Sequence, residues 1–97
     1  MTIQYVGFHV APTLRIYAFR VAELLKETRE FTVKIKLQAF RVTPLRFQDG
    51  PDICFARLKQ ALEAETSESP VAPDLYVGEQ EIRAYLERRH PRKRPYS

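Results

Sequence analysis

The sequence predicts an α+β fold, a three-stranded antiparallel meander followed by two helices packed on one face of the sheet. Three observations carry this. Residues 31–37 alternate apolar and polar side chains with a period of two. A stripe of period 3.6 follows Pro51, and a second, shorter one follows Glu79. Strand patterns that all precede helix patterns read as α+β, because helices must then cover a sheet that is already laid out.

Taken in order, residues 3–10 read as a first strand, and Ala11-Pro12-Thr13 turns it into a second, since proline halts ladder pairing. Residues 14–23 hold Ile16, Tyr17, Phe19 and Val21, which favour a strand but leave open which face is buried. The polar run Lys26-Glu27-Thr28-Arg29 joins it to the third strand as a hairpin. In that strand Phe31, Val33, Ile35 and Leu37 alternate with Thr32, Lys34, Lys36 and Gln38, the pattern of one buried and one solvated face. The period breaks after Phe40, and residues 41–47 read as a connector with a short extended piece at 45–47.

Asp49 is expected to cap the first helix, with Pro51 in its first turn and Asp52 near the positive end of its dipole. Cys54, Phe55, Leu58, Ala61 and Leu62 supply its apolar stripe. Residues 66–73 form a polar connector. Residues 79–89 read as the second helix, with Ile82, Tyr85 and Leu86 buried, Glu79 and Glu81 at its start, Arg88 and Arg89 at its end, and Pro91 as the stop. The expected core is Phe31, Val33, Ile35 and Leu37 against Phe55, Leu58 and Leu62.

The 97 residues form one expected domain over 1–90, followed by a basic flexible tail at 91–97. At 44% hydrophobic and 29% charged, the composition is that of a globular chain rather than a disordered one. One cysteine excludes an internal disulfide and favours the cytoplasm. No secretory leader or membrane-spanning run is read, so no membrane partner is expected.

Charge is distributed in three blocks. Residues 1–48 carry eight Lys/Arg and three Asp/Glu, residues 49–87 three and nine, and residues 88–97 five and none. The excess over neutrality therefore belongs to the C-terminus.

Chemistry-bearing constellations are sparse. Cys54, His9 and His90 are far apart in sequence, so no metal site is expected. Cys54 reads as a small core residue, the alternative being a thiol activated by the helix N-terminus. Asp49 and Asp52 read as a capping box rather than an acid–base pair. No nucleophile elbow or glycine-rich phosphate loop is present. No catalytic residue, cofactor or small-molecule ligand is inferred.

The sharpest candidate site is the basic cluster Arg88, Arg89, Arg92, Lys93 and Arg94, which could neutralise nucleic-acid phosphates while Tyr96 stacks on a base. A solvated, frayed terminus explains the same residues. Lys34 and Lys36 could extend the basic surface, or could guard an exposed strand against edge pairing. A small sheet leaves edges and a partly covered face. The leading functional expectation is therefore a protein-interaction or self-associating module, a homodimer included, with nucleic-acid binding through the tail as the alternative.

The stretches Arg29-Glu30-Phe31-Thr32-Val33, Gln38-Ala39-Phe40 and Phe47-Gln48-Asp49-Gly50-Pro51-Asp52-Ile53-Cys54 resemble a group of short bacterial proteins of unassigned activity. In these a Gln-Asp-x-Pro-Asp-Ile-Cys helix start recurs. The resemblance implies a bacterial, cytoplasmic, freestanding domain and supplies no site residue.

Overall fold

The computed structural model describes residues 1–89. The expected tail at 91–97 and His90 lie outside them.

The elements are β1 (Thr2–Val10), β2 (Leu14–Ala22), β3 (Arg29–Lys36), a short helix α1 (Ala39–Val42), a 3-10 turn (Phe47–Asp49), α2 (Gly50–Glu63), β4 (Asp74–Tyr76) and α3 (Glu79–Arg89). The α+β class is as the sequence predicts. The sheet is not a pure meander, however: its order is β1-β2-β3-β4, and β4 pairs parallel to β3. Parallel neighbours need a crossover connection, which α2 supplies. Thr32 N–H donates to the Pro73 carbonyl at 2.8 Å and Val77 N–H to the Lys34 carbonyl at 2.9 Å, so this short strand is tied at both ends.

Register decides which side chains meet. Tyr17 stands opposite Val33, Phe19 opposite Phe31, and Leu75 of β4 opposite Val33 on its other side. Tyr17, Phe19, Val21, Phe31, Val33, Ile35 and Leu75 therefore share one sheet face, and all are buried. This resolves the face left open for residues 14–23. From the helices, Ile53, Cys54, Leu58, Leu62, Ile82 and Tyr85 join the same core.

Two expected core positions and one expected cap need correction. Phe55 is 38% exposed, and Ile53 takes its place in the α2 stripe at 2%. Phe55 lies one residue, 100° of helix rotation, beyond fully buried Cys54, enough to carry it out of the interface. Leu37 is only partly buried, because β3 ends at Lys36. Asp49 makes no side-chain cap to α2. It instead accepts the Arg46 amide at 2.9 Å, closing the 3-10 turn before the helix, so Asp49 and Asp52 form no capping box.

Gly50 is the first residue of α2 and lies against the Tyr17 ring, where an added Cβ would sit 2.7 Å from Cε2 and overlap the hydroxyl. Absence of a side chain here lets the helix start settle onto the sheet.

Candidate functional site

The sheet ends in two unlike edges. β4 offers three residues. β1 offers nine, Thr2–Val10, and contains no Asp, Glu, Lys or Arg. Val6, Phe8 and Val10 are 51%, 50% and 57% exposed. A β-strand edge presents unpaired backbone N–H and C=O groups, and charge or proline usually guards it. Here neither does.

The β1–β2 hairpin closes through the Ala11 amide donating to the Leu14 carbonyl at 2.8 Å across Pro12-Thr13. Bonded and non-bonded pairs alternate along an antiparallel ladder. Counting back from that pair, Val10 and Phe8 turn their backbone groups away from β2. The ladder then shifts register between Tyr5 and Gly7, leaving Val6 as the extra residue of a bulge. Gly7 has φ of +153°, a conformation open to glycine and closed to most side chains. The only interruption of this edge is thus written by a glycine.

At the β1 end near Val10, aromatic rings gather around a single arginine, Arg15. The Arg15 guanidinium lies 4.2 Å from the Phe8 ring centre and 4.4 Å from that of Phe47, and Nε donates to the Tyr17 hydroxyl at 2.9 Å. Phe40 packs on Phe47 with centroids 4.7 Å apart. Burial pushes the Tyr17 phenol upward, the effect partly offset by Arg15. The connector read as 41–47 is entered by a single helical turn, Ala39–Val42; its Leu45 is buried in the core, and Phe47, expected in an extended piece, instead opens the 3-10 turn Phe47–Asp49.

The sequence-predicted cluster is not brought together on the described residues. Arg89 is 3.6 Å from Asp52 and lies over the Tyr85 ring at 5.9 Å. Arg88 lines an open groove of about 600 Å³ between α2 and α3 that also holds Glu63 and Glu81. Arg92, Lys93, Arg94 and Tyr96 fall outside the described residues. Lys34 is no edge guard, since β3 is interior; its Nζ is 3.8 Å from Asp74, whose carboxylate also accepts the Thr32 hydroxyl.

Reactive chemistry finds little footing. Cys54 is fully buried, and desolvation pushes its thiol far above the usual thiol range. That is the inert core residue rather than the activated thiol. Asp49, 5% exposed, accepts from the Tyr85 hydroxyl at 3.4 Å, and burial together with that carboxylate raises the Tyr85 phenol. Among the described residues no three His, Cys, Asp or Glu side chains gather where they could hold a metal ion. No helix among them is long and apolar enough to cross a membrane.

Neither protein-family models, nor curated proteins, nor solved structures match this chain.

The missed feature, the unguarded β1 edge, had a signal in the sequence. Residues 1–14 contain no Asp, Glu, Lys or Arg, whereas the next longest such gap in the chain, residues 69–73, is five residues.

Proposed function

We propose that this domain is a self-associating protein-interaction module that docks through β1, pairing antiparallel with β1 of a second copy about a twofold axis. The supporting observation is the nine-residue edge without a charged side chain, carrying half-exposed Val6, Phe8 and Val10. An isologous pairing sets each strand against itself, so a charge on the strand would tend to meet its own like. A strand free of charge escapes that penalty, which favours a second copy as the occupant. With α2 and α3 taken to one face of the sheet, such a dimer joins two sheets edge to edge and leaves the opposite faces open to further partners.

Sedimentation velocity at tens of micromolar, where contacts of modest strength register, tests this. The full chain is expected to sediment as a dimer. Val6→Lys and Val10→Lys, each at a side chain already more than half exposed, are expected to give folded monomers by circular dichroism. A wild-type monomer throughout, or variants that dimerise as strongly as wild type, would refute the proposal.

A further inference from the structure

We infer that the surface built by the β1–β2 turn, the end of β3 and the segment 37–47 is a binding platform for single-stranded nucleic acid, on the body of the domain rather than on its tail. It does not rest on β1 pairing, because the cations that line it, Lys36, Arg41 and Arg46, belong to other segments.

Two shallow hollows meet on this surface. One is lined in part by Thr13, Lys36, Gln38, Arg41 and Tyr76, the other by Phe40, Arg41, Leu45, Arg46 and Phe47; they share Leu37 and Arg41. No acidic side chain lines either hollow. Between Glu30 and Asp49 the chain has no Asp or Glu at all, and Asp49 is itself buried and turned to the Arg46 amide and Tyr85. Among the described residues, Arg15, Lys36, Arg41 and Arg46 make no ion pair, unlike Arg20, Lys26, Arg29, Lys34, Arg83 and Arg89. Lys36, Arg41 and Arg46 are exposed.

Cations alone would suit any polyanion. The aromatic rings narrow the choice. Phe47 and Tyr76 are each 54% exposed, one at each hollow. Phe40 and the Arg15 guanidinium pack against Phe47, 4.7 and 4.4 Å from its ring centre, which holds the ring in place. Backbone-tracking cations between exposed aromatic rings form the pattern that stacks unpaired bases, and a duplex, whose bases are already stacked, cannot use the rings.

Fluorescence anisotropy with a labelled single-stranded oligonucleotide, and with a duplex of the same length, tests this on the full chain. Three phosphate contacts, from Lys36, Arg41 and Arg46, at about 0.7 each predict a log–log salt slope near −2, or roughly 20-fold weaker binding from 50 to 200 mM salt. Arg41→Ala with Arg46→Ala should cut that slope to about −0.7. Phe47→Ala and Tyr76→Ala should each weaken single-strand binding roughly tenfold at every salt concentration and leave the slope unchanged. A chain with Arg92→Ser, Lys93→Ser and Arg94→Ser should keep single-strand binding. Circular dichroism melting confirms that each variant is folded. Equal affinity for duplex and single strand with no effect of either aromatic substitution would mean a plain polyanion surface and overturn the inference. So would loss of all binding in the tail-neutralised chain, or no binding by wild type at 50 mM salt.

Discussion

Replacing Gly50 with alanine sets two effects of opposite sign against each other. Gly50 has helical backbone angles, φ −52° and ψ −54°, so backbone entropy and helix propensity alone favour alanine by about 0.5–1 kcal/mol. Packing opposes this. The new methyl would overlap the hydroxyl and Cζ of Tyr17 and approach Cε2 to 2.7 Å. Tyr17 is fully buried between the sheet and α2, so its ring has no open direction in which to withdraw. Overpacking of a tight core costs about 1–3 kcal/mol, occasionally more. The clash involves several ring atoms rather than the end of a flexible chain, which places Gly50→Ala in the upper part of that range and leaves a net loss of about 1–3 kcal/mol. For a domain of this size that is a fall in Tm of roughly 5–20 °C. Calorimetry measures it, and a double-mutant cycle with Tyr17→Leu identifies the cause. Leucine lacks the ring atoms that collide, so alanine at 50 should cost about 1 kcal/mol less in that background. An unchanged or raised Tm for Gly50→Ala, or no coupling in the cycle, would refute the packing argument.

Two further outcomes follow from titratable groups. Arg29 grips Glu65 with two hydrogen bonds, at 2.8 and 3.1 Å, and the Val71 amide adds a third at 2.8 Å, so the Glu65 carboxyl is held below its ordinary value. A carboxylate depressed in the folded state stabilises fully above its unfolded pKa, about 4.3, and the contribution is lost as pH falls through the lower folded value. Denaturant midpoints should therefore fall more steeply for wild type than for Glu65→Gln between pH 5 and pH 3, and parallel profiles would count against the pairing. Cys54, fully buried with its thiol pushed upward, should resist a thiol-specific chromogenic reagent in the native state and react completely in denaturant; rapid native labelling would contradict its burial.

Elements with a repeating signal were legible in the sequence, and short or long-range ones were not. β3 shows period two over its whole length, and α3 shows both its buried stripe and its terminal charges, so both could be read from local pattern. β4 has only Asp74, Leu75 and Tyr76, too few for a period, and its partner lies 42 residues away at Thr32. The α2 stripe was placed correctly except at Ile53 and Phe55, where neighbouring apolar residues compete for one position and only packing against β3 decides. Asp49 looked like a cap because Asp before Pro usually is one; the intervening 3-10 turn claimed its carboxylate first. The basic surface of Lys36, Arg41 and Arg46 was hidden because its residues are spaced apart along the chain, whereas the C-terminal run drew notice by being contiguous.

The brevity of β4 bears on how far assembly through this sheet can proceed. Strand addition becomes a runaway process when each new copy presents an edge as receptive as the one it consumed. Twofold pairing of β1 consumes both long edges at once, and the outer rims of the product are then two copies of β4, each three residues long and carrying exposed Asp74. Head-to-tail stacking of β1 on β4 fares no better, since only three residues of the longer strand would find a ladder. If β1 pairs as proposed, the shortness of β4 closes the assembly at a pair rather than extending it into a fibre.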